Sequence, residues 1–298
     1  MDKMIKLTNT AYIRIFEQYN TALAEAFERI VQEMPGNDPA YAEALEGNLS
    51  TVAHNAVQDW FDEETGGQDH GGCLIDRTEN QEDALNMAIY AAAFCDDGIP
   101  DRIKIMLNRF QPQIGTTINQ YILAGAWNVP EQEEDYLEQQ ILSVLLQLLG
   151  EWQDSSHLEQ MIHHFAGLRD PDERIAQAMR QYLVALDKPS LTWTVQELND
   201  LMDSGSRLQG SGEYLLIALA DIGKEHRDDV IYACLKRAFQ NMASPAIGAI
   251  CLGDYGDGRA VVFLRGWAMR HLDNQDRQTM SEVFSTIKRL GGQIDDLR

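Results

Sequence analysis

The sequence predicts an all-α protein of stacked antiparallel helical hairpins. Three observations predict it. Apolar residues recur with the period of a helix, helix-starting residues follow one another at short intervals, and a six-residue turn pattern returns along the C-terminal half. No segment alternates apolar and polar residues between hairpin turns, so essentially no sheet is expected.

The periodicity is clearest near the N-terminus. Tyr41, Leu45, Leu49, Val52, Ala56 and Trp60 step by four, four, three, four and four, which lays one apolar stripe along a helix. Asp38 is a good cap for it and Pro39 suits its first turn. Residues 8–34 carry Ile13, Phe16, Leu23, Phe27, Ile30 and Met34 and end at Pro35-Gly36-Asn37. Residues 1–64 therefore read as a long helical hairpin, followed by the glycine-rich loop 65–73. Beyond it, four pairs fit a capping box or a looser variant: Thr78 with Gln81, Asn128 with Glu131, Ser156 with Glu159, and Thr194 with Glu197. Asp170-Pro171-Asp172-Glu173 offers a cap, a first-turn proline and acids suited to the helix dipole. Helices are expected over 171–186 and 194–203.

The turn pattern decides the architecture. Leu149-Gly150-Glu151-Trp152-Gln153-Asp154, Leu219-Ala220-Asp221-Ile222-Gly223-Lys224 and Leu252-Gly253-Asp254-Tyr255-Gly256-Asp257 each run leucine, small, acid, bulky apolar, turn residue, polar residue. Each closes one apolar helix and precedes another. The small residue admits a close neighbour, and Gly223 and Gly256 suit the left-handed position just past a helix end. The second and third copies start 33 residues apart and the first and second 70 apart, about two periods. A period in the thirties with two helices per unit predicts an α-solenoid, here a single repeat domain over 1–298 whose residues 74–298 form the repeats. In these turns the chain resembles the HEAT-like repeat family, in its short, PBS-lyase type with an A-L-G-x-x-G-D turn, and so implies a HEAT/armadillo-like superhelix. The resemblance is clearest over residues 141–271. Gln153 departs from it where glycine is usual.

Composition narrows the function. Apolar residues make up 44% and charged residues 24%, an ordinary globular balance. No apolar run reaches the roughly 20 residues of a membrane span, and the N-terminus lacks the apolar region of a secretory signal, so a cytoplasmic protein is expected. Cys73, Cys95, Cys234 and Cys251 stand singly, without zinc or disulfide spacing. The net charge is −23. Residues 1–100 hold 19 acids and 5 bases, residues 101–200 hold 15 and 7, and residues 201–298 hold 13 and 12. Such a field opposes nucleic-acid binding, which needs Lys and Arg to displace counterions. The acid excess fits either a solubilising surface or attraction of a basic partner.

No constellation points to catalysis. His157, Glu159, His163 and His164 are the densest cluster, with Glu159 and His163 spaced as a local ion pair and no HExxH spacing. Asp62-Glu63-Glu64 with Asp69 and His70 lacks the ligand order of an EF-hand. Residues 205–212 place Ser211 where a phosphate loop needs lysine, and read as a linker. The acidic tract Asp254–Arg259 reads as a turn between paired helices. No cofactor or metal is expected.

The expected function is that of a non-catalytic binding or scaffold protein, holding a protein partner along the concave face of a solenoid. A basic partner would lie along the acidic first two-thirds, and an immunity or inhibitor protein is one concrete form. The expected contacts are Asp62, Glu63, Glu64, Glu131, Glu133, Glu134 and Asp135. The resemblance also implies an alternative, a lyase-like or other enzyme on the same scaffold, since some relatives act on bilin pigments and other helical-repeat proteins excise damaged bases.

Overall fold

The computed structural model describes residues 78, 80–94, 98–130, 136–205, 207–272 and 276–297. The expected hairpin 1–64, loop 65–73, Cys73 and Cys95 lie outside them. The protein is all-α: the described residues form twelve α-helices and one 3-10 turn, with no strand among them. Two isolated bridges, Asn128 with Pro171 and Leu208 with Met242, join loops. The chain divides into two compact units, Met1–Ile114 and Gly115–Arg298.

In the first unit, α1 (Gln81–Phe94) packs on α2 (Asp101–Asn108). Alanines fill much of the buried side of α1, where Ala84, Ala88, Ala91 and Ala92 are almost wholly enclosed with Ile89. The cap of α1 is Asn80, whose side chain accepts from the Asp83 N–H (2.8 Å) and donates to the Asp83 carboxylate (2.6 Å). Thr78, the cap expected from sequence, instead turns its hydroxyl to the Met87 sulfur.

The helix α3 (Gln113–Ala124) leads into the second unit, which continues as α4 (Tyr136–Glu151), α5 (Leu158–Ala166), α6 (Glu173–Leu186), α7 (Lys188–Asp203), α8 (Ser211–Gly223), α9 (Asp229–Asn241), α10 (Pro245–Tyr255), α11 (Arg259–His271) and α12 (Arg277–Arg289). Helices two apart in sequence stack in succession. The helix α4 packs on α6, α6 on α8, α8 on α10 and α10 on α12. A second set packs likewise, α5 on α7 and α7 on α9. The sets join through α7 with α8, α9 with α10, and α11 with α12. Leucines of α4 (Leu142, Leu145, Leu146, Leu149), Ile175 and Leu183 of α6, Leu215 and Leu219 of α8, and Leu252 of α10 are fully enclosed. Burying each such side chain contributes about 1.5–3 kcal/mol, so the core holds the stack.

Several helix starts differ from those expected. Asp172 caps α6 by accepting from the N–H groups of Arg174 (2.9 Å) and Ile175 (3.4 Å), while Pro171 stays outside the helix in the bridge to Asn128. The helix α7 begins at Lys188 with Pro189 in its first turn, so Thr194 lies in mid-helix and is buried rather than capping. Ser156 does not cap α5; its hydroxyl meets His157 Nδ1 at 3.0 Å. Short polar residues compete for the backbone wherever a loop nears a helix, so spacing alone assigned the wrong members.

Candidate interaction surface

The turn pattern sits at the ends of α4, α8 and α10, where first-set helices meet their neighbours. A β-carbon added to Gly150 would stand 3.3 Å from Ala185 Cβ and 3.4 Å from the Tyr182 Cα, so glycine lets α6 lie directly on the end of α4. Gln153 and Gly256 both adopt positive φ, at 53° and 78°. Gly223 differs from expectation. It remains within α8, and its role is close approach: a β-carbon there would lie 2.9 Å from Ile231 and 3.1 Å from the Tyr255 ring.

Two of these turns are pinned by a tyrosine of a later helix. Tyr182 of α6 donates its hydroxyl to the Asp154 carbonyl (2.7 Å), in the turn between α4 and α5. Tyr255 of α10 donates to the Asp228 carbonyl (2.9 Å) and accepts from the Asp228 N–H (3.0 Å), in the turn between α8 and α9. At the opposite ends, the connecting loops join each other. Asp172 N–H reaches the Trp127 carbonyl, Ser211 Oγ reaches the Leu168 carbonyl, and Leu208 exchanges two backbone hydrogen bonds with Asn241 and Ala243.

Polar rungs span the helices of each set. In the first set, Gln147 meets Gln181, Arg180 donates twice to Asp221 (2.9 and 2.6 Å), and Arg289 meets Asp254 (2.7 Å). In the second, His163 meets Glu197 (3.2 Å), and Arg237 bonds Asn199 (3.0 Å) and Asp203. Arg259 joins α9 to α11 by pairing with Asp229 and Asp257, its guanidinium 4.4 Å over the Tyr232 ring. The acid of the turn pattern, Asp221 or Asp254, thus receives an arginine from a neighbouring first-set helix. The long spacing of these rungs, 30 to 41 residues, hides them from any local reading of the sequence.

The expected histidine cluster does not converge. His163 pairs with Glu197 on α7 and not with Glu159, while the His164 ring stands edge-on to Trp127 at 4.8 Å between centroids. Burial, aided by the His163 charge, lowers the His164 pKa. Among the described residues, no three His, Cys, Asp or Glu side chains gather as a metal site would require. Cys234 and Cys251 are buried, and burial pushes both thiols up to about 12, far from a reactive thiolate. In the tract Asp254–Arg259, both carboxylates are engaged by arginines.

The acids expected to meet a partner, Asp62, Glu63, Glu64, Glu131, Glu133, Glu134 and Asp135, lie outside the described residues. The described surface of the second set has its own polarity. On α5 and α7 the exposed positions include Glu159, Asp200 and Asp203. On α9 and α11 they include Asp229, Val230, Lys236, Val262, Met269 and Arg270. Sequence reasoning missed this contrast; the unusual valine and methionine in the exposed register of α11 were its available signal. No helix among the described residues is long and apolar enough to cross a membrane. Comparison with protein-family models, curated proteins and solved structures finds no match to this chain.

Proposed function

We propose that this chain is a non-catalytic protein-binding or scaffold protein, an α-solenoid of HEAT-like hairpins that holds a partner along the face of its second helices. The observation that carries this reading is the succession of α4, α6, α8, α10 and α12 beside that of α5, α7 and α9, with polar rungs between steps. An array in which each unit leans chiefly on its neighbours presents a long continuous surface, suited to gripping another chain. The partner is a basic protein laid along the acidic part of the sequence. The excess of 34 acids over 12 bases in residues 1–200 supports this, as do the exposed acids on α5 and α7.

The test replaces Glu63, Glu64, Glu133 and Glu134 together with glutamine and follows both Tm and partner capture from lysate. Loss of a basic partner at unchanged Tm, with salt eluting that partner from the wild type, is the expected result, because contacts between exposed charges are screened. Unchanged capture of the basic partner would overturn the electrostatic reading.

A further inference from the structure

We propose that the outward face of α11, with the adjoining edge of α9, is a docking site for an amphipathic helix bearing acidic side chains beside its apolar stripe. The inference rests on the protein-binding reading but not on its acidic surface. One side of α11 is core, where Ala260, Leu264, Trp267 and Ala268 are buried. The opposite side places Val262, Gly266 and Met269 among three arginines, Arg259, Arg265 and Arg270. Val262 is 78% exposed and Met269 54%, one heptad apart on the same side. Gly266 lies between them and leaves a dip, since a β-carbon there would meet only the Arg270 guanidinium, at 3.8 Å. Two apolar residues two turns apart with a hollow between them match the i, i+4, i+7 anchors of a bound helix. Methionine adapts readily to such a guest.

Charge selects the guest. Arg259 is neutralised by Asp257 and Asp229, and Arg265 by Asp296. Lys236 and Arg270 are paired with no carboxylate among the described residues, and Lys236 rests its ammonium 5.2 Å from the Phe263 ring centre. The same Phe263 packs on Phe239 of α9 at 5.4 Å, which places Lys236 at the border of the α11 face. Cations with no carboxylate partner among the described residues, flanking Val262 and Met269 on a chain of net charge −23, are complemented by a partner with carboxylates beside its own stripe.

The test uses the full chain and two labelled synthetic peptides, both alanine-rich helices with leucines at i, i+4 and i+7, one flanked by glutamates and the other by lysines. Anisotropy should show the glutamate peptide binding at least about tenfold tighter than the lysine peptide, with affinity falling as salt rises. Val262→Asp with Met269→Asp, both at exposed positions, should cost about tenfold or more at unchanged Tm. Lys236→Glu with Arg270→Glu should invert the preference toward the lysine peptide, a result that simple loss of folding could not give. The Glu63, Glu64, Glu133, Glu134→Gln variant should bind the glutamate peptide as the wild type does, so the two surfaces fail or stand separately. Equal binding of both peptides, or indifference to the charge reversal, would overturn the proposal. So would wild-type self-association in sedimentation that V262D/M269D abolishes, which would assign the face to a second copy.

Discussion

The turns that close α4 and α10 place a left-handed residue at the same point, yet one uses glutamine and the other glycine. Gln153 has φ 53° and Gly256 has φ 78°. A side chain in that region meets its own carbonyl, at a cost of order 1–2 kcal/mol that glycine avoids. The surroundings explain how the first turn tolerates it. Gln153 N–H donates to the Gly150 carbonyl and Asp154 N–H to the Leu149 carbonyl, each at 3.0 Å. The Asp154 carboxylate accepts from the Ser156 N–H (2.9 Å) and from Asn119 (3.3 Å), and Tyr182 holds the carbonyl. The second turn has a longer closing bond, from Gly256 N–H to the Leu252 carbonyl (3.3 Å), and no Cβ to accommodate. Dense hydrogen bonding offsets strain in one turn, and the absence of a side chain removes it in the other.

The sharpest way to break this comparison is at the remaining copy of the pattern, where Gly223 stays helical and serves packing alone. Gly223→Leu should destabilise by about 2–3 kcal/mol, because a side chain there drives into Ile231 and the Tyr255 ring in a packed core. Urea denaturation measures it. A change within about 0.5 kcal/mol, the usual range for surface sites, would show that α9 and α10 can yield, and that the small residue has no structural role there.

The two left-handed positions should respond with opposite signs and smaller effects. Gly256→Ala is expected to cost about 1 kcal/mol, since the new Cβ meets an unfavourable φ. Gln153→Gly is expected to stabilise by about 0.5 kcal/mol, the relief of strain exceeding the added freedom of the unfolded chain. Thermal unfolding of both variants against wild type reads the difference. Two effects of the same sign would mean that the turns are not equivalent.

Much of this was legible in the sequence because it is local. Helical period, the glycine at 256 and the turn pattern itself depend on residues within a few positions of one another. The helix boundaries were legible only in part: Asp172 and Asp228 cap as short acids do, but Thr194 has the spacing of a cap and lies in mid-helix behind Pro189. Gly223 was misread for the same reason, because what forbids a side chain there is Tyr255, 32 residues away. The rungs Arg180–Asp221 and Arg237–Asp203 join residues 41 and 34 positions apart, so no local pattern carries them. The face on α11 was visible only as a valine and a methionine whose exposure depends on which side of the helix meets α9.

The smallest expected effect concerns charge in the turn after Gly256. Asp257 accepts from the Arg259 backbone N–H (2.8 Å) and from its guanidinium (2.7 Å to Oδ2). The side-chain hydrogen bond from Arg259 is the main cause that holds the Asp257 pKa below the ordinary carboxylate range, with that backbone bond and the Arg259 and Arg227 charges assisting against burial. The native value therefore lies below the unfolded one of about 3.9. Between the two values the unfolded chain binds more protons, so this contribution is complete above about pH 5 and is lost as pH falls through the native value. Asp257→Asn keeps an oxygen for the Arg259 N–H, removes the charge and replaces the oxygen that accepts from the guanidinium with a donor. Its Tm should fall below wild type at pH 7, and the gap should close on acidification through that window. Asp229, which shares Arg259 but is 88% exposed, is the control, and Asp229→Asn should change Tm less at every pH. A gap at Asp257 that persists unchanged at low pH would assign the effect to packing of the turn and not to the charge of Asp257.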